Sequence, residues 1–170
     1  MAGRIRSLVE GAGFASAENP GRGYDHGTFV PLKMAFPAAD LPVVQLSMLK
    51  SLDPAEHLAL VRALAPLRDE GVFIVGSGDT FHNMRGFGPA FLGPSTAFYG
   101  WLTDAVEASA DERDRRLSAW ATAPSARVCH PREDHLLPLL VAAGAAGLDR
   151  GTVTWRGTFM GPEQVGFHFG

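Results

Sequence analysis

Six histidines carry most of the groups in this sequence that can bind a metal ion or transfer a proton. Four of them lie beside glycine, proline or acidic residues rather than inside an apolar pattern: His26, His82, His130 and His135. The other two are predicted to be structural or peripheral. His57 lies in the first turn of a predicted helix, in line with apolar residues, and His168 lies in a strand where alternation places it opposite Phe167 and Phe169, exposed or at a cleft edge.

His26 occurs in the stretch "GYDHGTFVPL", beside Asp25 and a glycine. Loops held on a rigid scaffold are where reactive groups are usually presented. Asp25 could orient the imidazole and hold one tautomer of it. The alternative is an Asx-type turn that carries a solvated histidine, and the sequence leaves both interpretations open.

His82 follows the apolar run 71–78 in the stretch "GSGDTFHNM". In open α/β sheets, ligands bind beyond the carboxyl ends of the strands. The glycines do not indicate a phosphate-binding loop, because the Walker lysine and a spaced third glycine are missing and Asp79 would repel a phosphate. The pattern favours contact with a metal or substrate, and a histidine in an ordinary turn remains the alternative.

His130 and His135 belong to the stretch "CHPREDHLLPLL". Pro138 predicts a helix that begins close to it, since proline is accepted in the first turn, and His135 then lies at the mouth of that helix. A spacing of five residues does not stack two side chains on one helical face. We therefore expect one ligand candidate and one supporting neighbour rather than two ligands side by side.

Two apolar runs of strand length, 41–48 and 71–78, flank a complete helix start. Asp53 can cap that helix, Pro54 suits its first position and Glu56 completes a capping box. A strand, a helix and a second apolar strand indicate a βαβ unit and hence a parallel strand pair.

Further helices are predicted at about 94–108, at about 111–120 and after His135. The tail alternates in polarity and turns at Gly161 and Pro162, which predicts a closing hairpin. These elements predict one α/β domain, with a mostly parallel central sheet flanked by helices and a C-terminal β-hairpin.

Composition limits the functions that this chain can have. A length of 170 residues with 46% apolar and 19% charged residues is typical of one globular domain. The net charge of -3 gives no reason to expect a nucleic acid or a membrane partner, and no apolar run reaches the roughly 18 residues of a membrane span. The start, "MAGRIRSLVEGAGF", resembles an amphipathic helix rather than a secretory signal. A lone Cys129 predicts a reducing, cytoplasmic setting and a buried thiol.

Five motifs in order along the chain resemble the class III extradiol ring-cleavage dioxygenases. They are "YDHGTFVPL", "LPVVQLSM", "DPAEHLALVRALAPLRDEGVFIVGSG", "HNMRGFG" and "CHPREDHLLPLLVAAGAAG". The chain is most similar to the 4,5-DOPA dioxygenase branch, which is related to the catalytic subunit of protocatechuate 4,5-dioxygenase. The resemblance covers nearly the whole chain, down to the final "FHFG".

The resemblance implies catalytic roles for His26 and His82. His26 matches a pocket histidine that contacts substrate or oxygen and helps to move protons. His82 matches a histidine that serves as a metal ligand or, in related members, as the acid/base. His135 matches the final metal ligand, where protocatechuate-type members use a glutamate. The metal implied is non-haem Fe(II), with Zn(II) possible in the same site.

The substrates implied are a small aromatic diol, DOPA- or protocatechuate-like, and O2. Opening of the ring beside the diol gives a muconic semialdehyde-type product. Asp25 and Asn83 are expected near the substrate together with His26, and His130 is expected to support the ligands. No nucleic acid or membrane partner is implied.

No histidine precedes His26, whereas family members carry an N-terminal region with two further metal-ligand histidines. The expectation is therefore a single domain over 1–170 that lacks the usual N-terminal segment. Such a chain would bind metal weakly or not at all and would not turn over by itself. An exposed sheet edge would favour a homo-oligomer or a complementing chain.

Two alternatives remain open. The chain could be an inactive remnant or structural subunit of such a dioxygenase, unable to bind metal alone. A weaker alternative is a zinc hydrolase built on the same histidines, with Glu133 or Asp134 as the general base, although no "HExxH" spacing is present.

Overall fold

The computed structural model describes all of residues 1–170. Its helices are α1 (Ala2–Gly11), α2 (His26–Ala35), α3 (Pro54–Arg62), α4 (Pro66–Asp69), α5 (Leu92–Val106), α6 (Ala110–Ser118), α7 (Ala126–Cys129) and α8 (Leu137–Ala145). Two strands follow, β1 (Gly151–Thr158) and β2 (Glu163–Phe169), and short 3₁₀ turns occupy Pro89–Phe91 and Trp120–Thr122. The α/β class, the single domain and the C-terminal hairpin are confirmed.

The main core lies among α3, α5, α6, α8 and the hairpin; its cluster of buried side chains is apolar, and the fully buried His130 packs against it. Its largest fully buried side chains include Trp120, Phe98 and Leu140. A smaller cluster around Val61 and Leu64 packs α1 against α3. Burial of these side chains, at about 1.5–3 kcal/mol each relative to exposure, holds the helices that carry the candidate site.

Local sequence signals set the helix starts as predicted. The Asp53 carboxylate accepts a hydrogen bond from the Glu56 backbone N–H at 2.8 Å, so α3 begins where the capping residues indicated. Pro138 lies in the first turn of α8. The hairpin turns at Gly161, where φ is 115° and a Cβ would lie 2.3 Å from the carbonyl oxygen of Gly88. Only glycine fits that position without strain.

The predicted parallel strand pair is corrected by the structure. The only sheet is the antiparallel pair β1–β2, and neither 41–48 nor 71–78 forms a hydrogen-bonded strand. The hydrogen bonds of these segments and their flanking residues go to other partners, and the Val72 N–H donates to the Leu67 carbonyl at 3.0 Å. The Val43 carbonyl accepts from the Tyr24 hydroxyl at 2.6 Å, and the Leu49 N–H donates to Nε2 of His57 at 3.1 Å. A βαβ pattern identifies residues able to pair, but pairing needs two backbones in register.

No helix in this structure has the length and apolar character needed to cross a membrane.

Candidate active site

The segment that follows residues 71–78 presents His82 beside α7. The His82 N–H donates to the Cys129 carbonyl at 3.0 Å, and the Asn83 side-chain amide donates to the Val128 carbonyl at 2.8 Å. Asn83 therefore anchors this loop to α7 through its side chain. His82 itself uses only its backbone in these contacts, which leaves its ring free for other partners.

His135 lies just before α8, and its ring stacks on that of His82. The ring centroids are 3.3 Å apart and the planes differ by 7°. The two residues are brought together because the backbone at Gly78 approaches His135 closely: the Asp79 N–H donates to the His135 carbonyl at 3.0 Å, and a Cβ on Gly78 would lie 2.3 Å from that oxygen. Any larger residue at position 78 would separate the two segments.

One ring nitrogen of His135 has no hydrogen bond. Its Nδ1 atom is buried and lies 3.3 Å from Oδ1 of Asp134, but the two atoms do not meet hydrogen-bond geometry. A buried imidazole nitrogen without a partner costs free energy, so such positions are often found where a ligand binds. Glu133 is not a free base, because its carboxylate pairs with Arg127 at 2.7 Å.

His130 is fully buried between Phe98 and Trp120, whose rings lie 5.5 and 5.9 Å from its own. Nε2 is 3.0 Å from the Thr80 carbonyl, so this nitrogen carries the proton and donates it. Burial lowers the pKa of His130 to about 4, although the hydrogen bond to Thr80 opposes this. The ring is therefore neutral near pH 7, and its Nδ1 lone pair has no partner.

His57, unlike His130 and His135, has a hydrogen-bond partner for each ring nitrogen, in agreement with its predicted structural role. It is fully buried, its Nδ1 lies 2.6 Å from the Asp53 carbonyl, and its Nε2 accepts from the Leu49 N–H. Both nitrogens are satisfied, which leaves no lone pair for a ligand. His168 is exposed on β2, also as predicted.

His26 is exposed at the first position of α2, and Asp25 is the cap of that helix. One carboxylate oxygen of Asp25 accepts from the Thr28 N–H at 3.1 Å, and the other accepts from the Gln45 amide at 2.7 Å. Asp25 is thus committed to the helix start and does not orient the His26 ring. The Ser77 hydroxyl donates to the Gly27 carbonyl at 2.5 Å, which joins this loop to the segment that leads to His82.

An open groove of about 950 Å³ lies beside the histidine pair. Its walls are the segment 72–80, α8 and β2, and His135 and Asp79 line it together with the apolar side chains of Phe73 and Leu139. His82 does not line it. The groove is large enough for a small aromatic ligand.

No group of three His, Cys, Asp or Glu side chains in the chain is arranged to hold a metal ion. The structure brings together His82 and His135 and places His130 nearby, but it does not add a carboxylate or a third imidazole to them. Cys129 is buried, and burial raises the pKa of its thiol to about 12, so it behaves as the predicted small apolar residue.

The sequence did not single out two glutamines that hold the histidine-bearing loops. Gln45 binds Asp25 and Thr28, and Gln164 binds Thr80 and Phe81. The Gln164 contacts join residues more than 80 positions apart in the chain. No local pattern in the sequence signals such pairs.

Comparison with known proteins gives a consistent set of relatives. The family described as "Catalytic LigB subunit of aromatic ring-opening dioxygenase" matches residues 1–169. The chain is 42% identical over 151 residues to a 4,5-DOPA dioxygenase extradiol of Beta vulgaris, covering 86% of this chain and 56% of that protein. It is 35% identical over 168 residues to dioxygenase tasH of Hapsidospora irregularis, covering 89% of this chain and 51% of that protein.

The solved structures include a similar protein. The crystal structure of the uncharacterized protein JW3007 from Escherichia coli K12 superposes with a TM-score of 0.82 at 30% identity, covering 97% of this chain and 71% of that chain. The chain spans about half the length of the curated relatives it matches.

Proposed function

The chain belongs to the LigB family of aromatic ring-opening dioxygenases, and from this premise we propose that it forms the catalytic part of an extradiol dioxygenase that opens a catechol-type ring with O2. The substrate would be DOPA- or protocatechuate-like, and the product would be a muconic semialdehyde. The stacked pair of His82 and His135 beside the groove is the observation that carries the proposal. We place the reaction in a reducing cytoplasm.

The donor set agrees in part with a non-haem iron site. His135 has a buried Nδ1 without a hydrogen bond, and imidazole nitrogens suit Fe(II) and Zn(II) alike. His82 and His135 would hold the metal. A two-His-one-carboxylate site takes three protein ligands, and this chain groups no three, so the remaining protein ligand would come from another polypeptide.

Bound Fe(II) would supply Lewis acidity at the diol oxygens and a place for O2 beside them. The chain's own residues would do the remaining work. Asp79 and the apolar wall at Phe73 and Leu139 bound the groove in which an aromatic ring would lie. Asp25 would contribute by fixing the helix start that presents His26, and Asn83 by fixing the loop of His82.

Proton transfer is assigned to His26, or to His82 where His82 does not bind the metal. A neutral imidazole accepts a proton near pH 7 and can return it later in the reaction. His26 is exposed at the start of α2, whereas His82 is fixed against His135. His130, neutral and bound to the Thr80 carbonyl, would support the position of the pair without exchanging a proton near neutral pH.

The alternative is a subunit without catalytic activity of its own, and the missing third ligand favours it for the isolated chain. A zinc hydrolase has less support, because Glu133 is paired with Arg127. A homo-oligomer or a complementing polypeptide would bring further groups to the site.

The test is complementation. The purified chain is mixed with the part of the Beta vulgaris relative that lies outside the matched region, loaded anaerobically with Fe(II), and given DOPA and O2. A yellow ring-fission product is expected, absent with His135→Gln and retained with the exposed control Lys50→Gln, which does not line the groove.

No product from a mixture that forms a complex, or from a single polypeptide that fuses both parts, would contradict the proposal. Product from the chain alone would confirm the activity and remove the need for a further protein ligand.

A further inference from the structure

Gln164 makes more hydrogen bonds to the histidine-bearing loop than any other side chain. Its Oε1 accepts from the Thr80 N–H at 3.1 Å, the Thr80 hydroxyl at 3.0 Å and the Phe81 N–H at 3.0 Å. Its Nε2 donates to the Phe81 carbonyl at 2.9 Å. One carboxamide thus binds the backbone of two consecutive residues, directly before His82.

These contacts replace a missing strand partner. The segment 79–83 forms no strand ladder, and buried backbone groups without partners are costly. Gln164 lies on β2, so the hairpin supplies the bonds that a neighbouring strand would otherwise provide. The Val165 N–H adds a bond to the Thr80 hydroxyl at 2.9 Å.

The other side of the same segment faces the histidines. The Thr80 carbonyl accepts from His130 Nε2, and the His82 N–H donates to Cys129. The Thr80 peptide is therefore held between Gln164 and His130. Both the N–H and the carbonyl of Phe81 are fixed by Gln164, which limits the rotation that sets the direction of the His82 Cα–Cβ bond.

We propose that Gln164 is a positioning residue, whose carboxamide fixes the Thr80–Phe81 backbone so that His82 stacks on His135 and His130 keeps its hydrogen bond to Thr80. The role in catalysis rests on the proposed function of these histidines. The geometric claim does not, because it can be measured without turnover.

An amide is needed at this position because it combines an acceptor with a donor. Glutamate of the same length would keep an acceptor for the two N–H groups but would place a carboxylate against the Phe81 carbonyl. Methionine would keep the approximate volume and lose every hydrogen bond. The two substitutions therefore separate the role of hydrogen bonding from that of packing.

The first measurement uses the unmodified chain. Hydrogen exchange should show that the Thr80 and Phe81 amides are protected, although they lie outside any helix or strand. If both amides exchange at the rate of an open loop, Gln164 does not hold them and the proposal is overturned. This result is decisive even where a variant fails to fold.

The second measurement compares Gln164→Met and Gln164→Glu with the matched control Gln45→Met, which removes the other glutamine network. NMR spectra of the imidazole ring protons report the stacking of His82 on His135 through ring-current shifts. We expect these shifts to be lost in Gln164→Met, reduced in Gln164→Glu and retained in Gln45→Met. Unchanged shifts in a folded Gln164→Met variant would overturn the proposal.

The third measurement uses the complemented enzyme. Misplacement of a reacting group by about 1 Å can cost on the order of 100-fold in rate, so kcat should fall by roughly 10- to 100-fold in Gln164→Met while KM for the catechol changes little. If the complemented wild-type protein is inactive, the proposed function fails, but the exchange and NMR results still decide the role of Gln164. An equal loss of kcat in the exposed control Lys50→Met, which lies away from the groove, would contradict a specific role.

Discussion

Residues 12–50 carry His26 and contain no buried side chain, whereas residues 80–146 carry His82, His130 and His135 and contain nearly all of the main core cluster. We call the first the amino-terminal arm and the second the core region. The arm exposes Phe29, Val30 and Met34 to solvent to about half or more of their surface. The core region buries Phe98 and Trp120 almost completely.

The two regions are held by different forces. The arm is tied down by polar contacts at its edges, such as Tyr24 to the Val43 carbonyl and Gln45 to Asp25. Each such hydrogen bond contributes about 0.5–1.5 kcal/mol at most. The core region is held mainly by apolar burial. Local stability therefore differs between the two places where candidate histidines lie.

This difference bears on what each histidine can do. The stacked pair in the core region is in place without a ligand, which is what its proposed metal-binding role requires. His26 lies in the exposed arm, where no side chain is buried, and its proposed role is proton transfer.

The largest expected effect is on the free energy of unfolding, and it is seen by truncating one phenylalanine in each region. Phe98→Ala should lower the free energy of unfolding by about 3–5 kcal/mol, because a fully buried ring that contacts Trp120 and His130 is lost. Phe29→Ala should lower it by less than about 0.5 kcal/mol, because that ring is already half exposed. Denaturant unfolding measures both.

If Phe98→Ala does not fold, the smaller truncation Phe98→Leu replaces it in the unfolding measurement. A loss in Phe29→Ala comparable with that in the Phe98 variants would mean that the arm is packed in solution, for instance against a second copy, and the comparison would fail.

The second effect is a pH dependence that belongs to the core region. The folded-state pKa of His130 is lowered to about 4 by burial, whereas an unfolded histidine titrates near 6.5. Between these values the unfolded chain binds the proton and the folded chain does not. The stability is therefore complete above about pH 6.5 and is lost as the pH falls toward 4, by about 2–3 kcal/mol.

Unfolding of the metal-free chain in chelator, at intervals from pH 7 to pH 4.5, measures this loss. Glu133 also has a lowered pKa, because its bond to Arg127 outweighs the effect of burial, but its contribution is lost only below its ordinary value near 4.5. His130→Gln should flatten the profile above pH 4.5. An equally steep profile in that variant would assign the dependence to another group.

The contrast between the regions also explains which features the sequence could predict. The cap at Asp53, the proline at position 138 and the turn at Gly161 are local signals, and each element they predict is present. Helix α2 was not predicted, because it contains Pro31 and has no buried face to produce an apolar period. The parallel pair failed because 41–48 and 71–78 have strand composition but do not pair with each other.

In the candidate site, too, features signalled locally could be predicted and those that depend on distant contacts could not. Residue types and motif order indicated His82 and His135, and the structure stacks their rings. The sequence left open whether Asp25 orients His26 or forms an Asx-type turn beside a solvated histidine, and in the structure Asp25 caps α2, a helix that was not predicted. The role of Gln164 depends on a contact between β2 and a distant loop, which no spacing rule encodes. The chemistry assigned to His82 and His135 stays a prediction until the complementation test is made.

The smallest effect concerns the network that holds the arm. Gln45 accepts from the Asp25 N–H and the Thr28 hydroxyl and donates to the Asp25 carboxylate. Gln45→Met should change the global free energy of unfolding by less than about 1 kcal/mol, because these groups are exposed or half-buried and water replaces the lost partners.

The local effect of Gln45→Met on hydrogen exchange should be larger. Amides in the first turn of α2 should exchange about fivefold faster, which corresponds to about 1 kcal/mol of lost local stability, while the Phe81 amide keeps its protection. Gln164→Met should give the reverse pattern. If Gln45→Met instead unfolds the whole chain, the arm and the core region form one cooperative unit, and His26 is held as firmly as the stacked pair.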